Sequence, residues 1–237
     1  MNVYPVNAFE ASTLASPQRA THSRMSDLFG RYIDYTVDFN SASATIEGAW
    51  NRQATGDTFI IGNTNAHSGT AHFRLNGGGA LSVEFETEGR ITIAPLGRKC
   101  AFDSATITLQ GASNLYVGLL FVGDKWELPR FAVHPARQLE LRGEGGRTFA
   151  GQARGIPAET LRTFGAEFAR IPGAEAKTVA DYADGVQNVI PHVIDPYPEA
   201  RGEFPPMFAT LSGYGEQGKR AENSFFWDYQ MSWREAR

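Results

Sequence analysis

Cysteine, positive charge and long apolar runs are scarce in this sequence. Cys100 is the only cysteine among 237 residues, which excludes an internal disulfide framework and a cysteine-based zinc site. Basic residues number 22 and acidic residues 26, giving a net charge of −4, so general binding to nucleic-acid phosphates is not expected. No apolar run approaches the roughly 18 residues of a membrane-spanning segment. We therefore expect neither nucleic acid nor a membrane as a partner.

The first 26 residues predict an N-terminal arm. They lack the apolar stretch of a signal peptide, so we expect the protein to be made and folded in the cytoplasm. They are rich in Ala, Ser, Thr and Asn and show no sustained helical or strand period. Such a segment is typically mobile unless something holds it. A neighbouring subunit and the body of the same chain are both possible supports, with the neighbouring subunit preferred as the prediction.

Short alternating segments continue from residue 32 to about residue 141. From Ile33 to Phe39 every second residue is apolar, the period of a half-buried strand. Further runs of this kind cover residues 44–50, 58–61, 70–75, 80–86, 91–94, 106–109, 115–122, 131–133 and 138–141. Many short strands separated by Gly- and Asn-rich turns are typical of an antiparallel sandwich or barrel. The sequence therefore predicts a mainly β fold, with an antiparallel β-sandwich or barrel over residues 27–155.

Two helices are predicted to follow, forming a helical hairpin at residues 156–190. The first would begin near Pro157, because proline is favoured in the first helical turn. Its apolar face would comprise Leu161, Phe164, Phe168 and Ile171. The second would cover residues 174–189 and end before Pro191.

The rest of the chain predicts an extended connection and one last strand. Residues 191–206 contain five prolines, which makes the crossover at 191–222 stiff and extended. Residues 223–237 then return to the core as a β-strand. Its apolar face would comprise Trp227, Tyr229, Met231 and Trp233. Aromatic side chains bury large areas, so we expect this strand to close the sheet of its own chain.

No residue pattern reaches the standard of a catalytic or metal motif. Residues 213–220 (GYGEQGKR) approximate a P-loop, but Arg220 stands where a P-loop needs Ser or Thr. We read this stretch as a glycine-rich turn. His67 and His72 lack the spacing of zinc ligands, and Cys100 is expected to be a small buried hydrophobe. We therefore predict no catalytic residue, no cofactor and no metal ion.

Acidic and aromatic clusters have plain structural explanations beside functional ones. Glu84, Glu86 and Glu88 alternate along a predicted strand and are expected on its solvated face. The aromatic residues of 225–233 are typical of a core, of a subunit interface or of a pocket for an apolar ligand. These three interpretations stay open at this point.

The chain as a whole resembles bacteriophage virion proteins of the tail-tip and distal-tail type. Three stretches carry the resemblance, namely residues 19–24 (RATHSR), the strand run 44–64 and residues 225–229 (FFWDY). The resemblance implies a non-enzymatic structural subunit of a tail or baseplate ring. Its partners would be other copies of itself and neighbouring structural proteins. It would be made in the cytoplasm of a bacterial host and end in a virion.

Under this hypothesis the candidate assembly interface comprises Tyr4, Phe9, Arg19, Arg24, Phe225 and Phe226. The alternative is a calycin-like β-barrel enzyme or binding protein for a hydrophobic small molecule. His72, Glu84 or His134 would then supply its acid–base groups.

Overall fold

The computed structural model describes residues 1–30, 33–87, 89–111, 113–129, 136–142, 145–147, 153–155, 159–186, 190–221 and 224–236. The predicted strand at 131–133 and the candidate base His134 lie outside these residues. The chain divides into two compact units. Unit 1 comprises Met1–Leu128, Pro191–Phe208 and Ala236–Arg237, and unit 2 comprises Pro129–Ile190 and Ala209–Glu235. In the described ranges, no helix has the length and apolarity needed to cross a membrane.

Sixteen β-strands, two short 3₁₀ helices and one α-helix make up the described residues. The strands are β1 (Asn2–Tyr4), β2 (Ser12–Ala15), β3 (Val37–Asp38), β4 (Ser43–Thr64), β5 (Ala66–Leu75), β6 (Ala80–Glu86), β7 (Ile91–Gly111), β8 (Tyr116–Gly123), β9 (Trp126–Glu127), β10 (Ala136–Arg142), β11 (Gly145–Arg147), β12 (Ala153–Gly155), β13 (Glu159–Pro172), β14 (His192–Asp195), β15 (Met207–Ala221) and β16 (Ser224–Glu235). The helices are the 3₁₀ turns Ala8–Ala11 and Met25–Phe29, and α1 (Gly173–Val186).

Unit 1 is built around a seven-stranded antiparallel sheet. Its order is β3–β8–β4–β7–β5–β6, and β2 also pairs with β4. The ladder between the long strands β4 and β7 shifts register between Ala49 and Ala54 and again between Gly56 and Thr58. Bulges of this kind bend strands, so β4 and β7 take part in two layers. The predicted antiparallel β-sandwich is confirmed.

Side chains from both layers fill the interior of this sandwich. Phe59, on the part of β4 that pairs with β8, shares a buried cluster with Phe73 of β5 and Phe102 of β7. The ring centroids of Phe59 and Phe73 are 6.2 Å apart, and those of Phe73 and Phe102 are 5.0 Å apart. Edge-to-face and tilted contacts at these separations stabilise a core beyond the area that they bury.

A second buried cluster lies on the other side of strands β4 and β8. It includes Ile60 and Phe121 from these strands, Tyr4 from β1 and Val193 from β14, and β1 pairs with both β14 and β9. The residue alternation of β4 explains both clusters, because Phe59 and Ile60 point to opposite faces.

The first 26 residues pack on the body of their own unit. Asn7 Nδ2 donates to the Leu120 carbonyl oxygen at 2.8 Å, and Asn7 Oδ1 accepts from the Val122 amide at 3.2 Å. Trp50 Nε1 donates to the Ala8 carbonyl oxygen at 2.6 Å. The sequence left two supports open for this segment and preferred a neighbouring subunit. In the structure the support is the body of the same chain, because side-chain hydrogen bonds and buried rings hold the segment there.

Unit 2 contains the antiparallel strands β10, β13, β16 and β15, which pair in that order, and helix α1 packs on β13 and β16. The second predicted helix is present as α1, with Val179, Tyr182 and Val186 among its buried residues. The last strand, β16, lies between β13 and β15 of its own chain. Its apolar face is buried at Tyr229, Met231 and Trp233.

The prediction of a first helix, and with it of a helical hairpin, is wrong. Residues 159–172 form strand β13, in which Phe164 and Phe168 face the same way with the period of a strand. The pairing with β16 shifts register between Phe168 and Ile171, and Arg170 has a φ of 57°. This irregularity places Ile171 three residues after Phe168 in the buried row, a spacing that imitates a helix in the sequence.

Candidate functional site

The outer face of strands β5, β6 and β7 carries an array of polar side chains. Residues of this face are those that point away from the core, because side chains alternate along a strand. Cross-strand pairing arranges them in rows. The first row is Gln110, Ser68 and Glu86; the second is Thr108, Thr70 and Glu84; the third is Thr106, His72 and Ser82.

A cleft of about 320 Å³ lies over the first two rows, and we call it the face cleft. Its polar lining consists of Ser68, Thr70, Glu84, Glu86, Thr108 and Gln110. It therefore combines two carboxylates, three hydroxyls and one amide. Carboxylates only accept hydrogen bonds when ionised, whereas hydroxyls and amides both donate and accept. The cleft can thus pair with a ligand that carries several closely spaced hydroxyl groups.

Gly69 allows the three strands to pack closely beneath this cleft. A Cβ atom at this position would lie 2.5 Å from the Thr108 carbonyl oxygen and 2.6 Å from Cζ of Phe85. Phe85 is itself fixed in the core, with its ring centroid 5.3 Å from that of Phe59. A side chain at position 69 would therefore displace either the backbone of β7 or a packed ring.

Polar groups along the same face differ in whether they are already paired. Arg74 Nε and Nη2 donate to the two carboxylate oxygens of Asp103, at 2.8 and 3.1 Å. The hydrogen bond from Arg74 lowers the pKa of Asp103. His72 Nδ1 lies 2.7 Å from Ser82 Oγ. Glu84 and Glu86 have no ion-pair partner among the described residues, so their carboxylates remain available to a ligand.

A second cleft, of about 620 Å³, borders the face cleft at strand β6, and we call it the edge cleft. It lies between β6, the first residues of β7 and the segment at 201–206. Two arginines line it, and both are paired. Arg201 Nε and Nη2 donate to Oδ2 of the fully buried Asp195 at 3.0 and 2.7 Å, and Arg90 pairs with Asp34.

Of the three candidate acid–base residues, the described part of the structure brings two onto one face. His72 and Glu84 lie on the same outer face, in neighbouring rows. The remaining polar side chains of the face cleft were missed, because single Ser, Thr and Gln residues on separate strands carry no local motif. The alternation of polar residues along β5 and β7 was the one available signal.

The candidate interface residues occupy very different environments. Tyr4 and Phe9 are buried in unit 1, at 2% and 0% exposure, so they offer no surface to a partner. Arg19 and Arg24 are exposed, Phe225 is 53% exposed and Phe226 is partly buried. For these four the interface stays a prediction.

The glycine-rich stretch at 213–220 is part of strand β15, where the sequence predicted a turn. Cross-strand neighbours explain two of its glycines. A Cβ at Gly213 would lie 2.6 Å from Ser232 Oγ, and one at Gly218 would lie 2.8 Å from the ring of Phe225. Within the described ranges, no group of three or more His, Cys, Asp or Glu side chains is arranged to hold a metal ion.

Several solved structures resemble part of this chain. A Ruminococcus gnavus GH29 fucosidase in complex with fucose is 12% identical over 53% of this chain, with a TM-score of 0.45, and the match spans only 28% of the fucosidase. The family 32 carbohydrate-binding module of C. perfringens NanJ, in complex with galactose, is 12% identical over 53% of this chain and all of the module, with a TM-score of 0.42. A Streptococcus pneumoniae fucose-binding module is 12% identical over 49% of this chain and 96% of the module, with a TM-score of 0.41. No protein-family model and no curated protein sequence matches the chain.

The prediction of a phage tail or baseplate subunit is wrong. The similar structures reported above are two sugar-binding modules and a fucosidase, and none of the three is a virion protein. The alternative, a calycin-like pocket for a hydrophobic molecule, does not fit either, because packed rings occupy the interior of unit 1 and the face cleft is polar. The earlier resemblance was one of overall composition and strand pattern, which many β-sandwich proteins share.

Proposed function

We propose that unit 1 is a carbohydrate-binding module that holds a neutral sugar in the face cleft. The observation that carries this proposal is the pair of polar rows, in which two carboxylates, three hydroxyls and an amide converge on one cleft. A cleft of about 320 Å³ lies within the roughly 300–1,000 Å³ of small-molecule sites. Its polar lining can form hydrogen bonds with the hydroxyl groups of a sugar, which an apolar ligand lacks.

The charges of the cleft favour a neutral sugar over an acidic one. Glu84 and Glu86 have no ion-pair partner among the described residues, and their carboxylates accept strong hydrogen bonds from hydroxyl groups. A sugar carboxylate would instead be repelled. A hard cation would need more oxygen ligands than this pair supplies. Fucose and galactose, the sugars named for the similar solved structures, are therefore suitable first probes.

Binding of galactose, fucose and glucuronic acid, measured by calorimetric titration, tests the proposal. Thr70→Val removes a hydroxyl group, and Glu84→Gln removes the carboxylate charge and one acceptor oxygen, both with little change of shape. Each should weaken binding of the neutral sugar by about three- to tenfold. Thr55→Val and Glu47→Gln are matched controls on exposed β4 positions outside the cleft, and they should leave the affinity unchanged. Glucuronic acid should bind more weakly than either neutral sugar.

Two results would contradict the proposal. One is that neither neutral sugar binds. The other is that the control variants lose as much affinity as Thr70→Val and Glu84→Gln.

A further inference from the structure

The edge cleft lies between two strand edges that have no described partner. Strand β6 is the last strand of its sheet, and among the described residues it pairs only with β5. Residues 91–95 of β7 pair with β4 alone in the part of the chain that the structure describes. The cleft of about 620 Å³ runs between these edges. An open edge presents backbone N–H and C=O groups, to which an extended chain can bind.

The hydrogen-bond register shows which backbone groups of β6 face outward. The Leu75 amide donates to the Gly79 carbonyl, and the Thr87 amide donates to the His67 carbonyl, at 3.1 and 3.0 Å. In an antiparallel ladder such pairs alternate with pairs that make no hydrogen bond. The odd-numbered residues of β6 therefore bond to β5. Its even-numbered residues, Ser82, Glu84 and Glu86, direct their N–H and C=O groups toward the open edge.

The register between β7 and β4 likewise shows which backbone groups of the opposite wall face the cleft. The Asn63 amide donates to the Arg90 carbonyl at 2.7 Å, so Thr92 and Ala94 also bond to β4. Ile91 and Ile93 direct their backbone groups outward, and both side chains are buried. These two side chains pack in the second buried cluster with Tyr4, Ile60 and Phe121, so this wall presents mainly backbone groups to the cleft.

The lining of the edge cleft presents a net negative charge to a ligand. Arg90 and Arg201 are neutralised by Asp34 and Asp195. Glu84 and Glu86 lie on β6 without an ion-pair partner among the described residues. A second copy of β6 is disfavoured as the occupant, because an antiparallel pair of this strand with itself would bring like carboxylates close together.

We propose that the edge cleft binds an extended peptide of alternating basic and apolar residues, which adds to β6 as an antiparallel strand. The outward N–H and C=O groups of Ser82, Glu84 and Glu86 pair with the peptide backbone. Residues directly opposite in an antiparallel pair share a face. The basic side chains of the peptide therefore lie beside Glu84 and Glu86, and its apolar side chains lie on the opposite face beside Val83 and Phe85, which also line the edge cleft.

This geometry fixes which peptide amides point at β6. In a hydrogen-bonded antiparallel pair the two opposed residues exchange both hydrogen bonds. The amides of the basic residues therefore point at β6, and those of the apolar residues point away. Methylating the backbone nitrogens of either the basic or the apolar residues therefore gives two peptides of the same composition and charge.

The experiment is fluorescence anisotropy of the full-length protein with a labelled peptide of alternating Lys and Val residues. Methylation of the Lys backbone nitrogens should weaken binding by about tenfold or more, because it removes several hydrogen bonds. Methylation of the Val nitrogens should weaken binding less, because those amides point away from β6. The Glu84→Gln/Glu86→Gln double variant should also bind more weakly, whereas Glu47→Gln should not. Absence of binding by the parent peptide, or equal binding by the two methylated peptides, would overturn the proposal.

Discussion

Gly69 controls how closely the strands pack beneath the face cleft. We expect Gly69→Ala to lower the free energy of unfolding by about 1–3 kcal/mol, because the new methyl group would collide with the Thr108 carbonyl oxygen and the Phe85 ring. Gly215→Ala is a matched strand control, since its Cβ would have no neighbour closer than 3.9 Å. It should change the free energy of unfolding by less than about 0.5 kcal/mol. Equal urea-unfolding curves for the two variants would contradict this explanation.

Trp233 is a large aromatic residue in the core of unit 2. It is fully buried, its ring centroid lies 5.5 Å from that of Phe164, and its Nε1 donates to Tyr182 Oη at 2.7 Å. Trp233→Ala should therefore cost about 3–5 kcal/mol of unfolding free energy. Gln230→Ala, at an exposed position of the same strand, should cost less than about 0.5 kcal/mol. A similar loss in both variants, measured by chemical denaturation, would show that Trp233 does not anchor the unit.

At the scale of elements, α1 is attached to β16 by hydroxyl groups as well as by apolar contacts. Tyr229 Oη donates to the Ala176 carbonyl oxygen at 3.2 Å, and Tyr182 accepts from Trp233. Burial raises the pKa of Tyr182 above its ordinary value of 10.0. Because the folded-state pKa is the higher one, this contribution to stability is complete below about pH 10 and is lost as the pH rises further.

Alkaline unfolding tests this attachment. We expect the free energy of unfolding of the native protein to fall above about pH 10. Tyr182→Phe should be less stable at neutral pH by about 1–3 kcal/mol, because Trp233 loses its buried acceptor. Its stability should depend less on pH in the alkaline range. Identical pH profiles for the variant and the native protein would rule out Tyr182 as a contributor.

The elements show how far local pattern predicts structure. Strand β16 and helix α1 were predictable, because each has an uninterrupted period and a clear apolar face. Strand β13 was not, because the irregularity at Arg170 changes its spacing to one that a helix also produces. A bulge depends on the partner strand, and no local sequence signal specifies it.

At the scale of the whole molecule, the architecture was more predictable than the site. Alternation and turn residues were enough to predict an antiparallel β-sandwich. The face cleft depends on which strands become neighbours and in what register, for example on Thr70 lying between Glu84 and Thr108. The residues of such a site are far apart in the sequence and form no local motif. Overall composition therefore led to a virion assignment, which the similar solved structures contradict.

The most direct test of sugar binding is a titration of the isotope-labelled protein with galactose or fucose, followed by amide ¹H–¹⁵N correlation spectra. We expect saturable shifts at Ser68, Thr70, Glu84, Thr108 and Gln110, and no comparable shifts on the exposed part of β4 around Thr55. The absence of saturable shifts, or their appearance only at residues outside the face cleft, would contradict sugar binding in the face cleft.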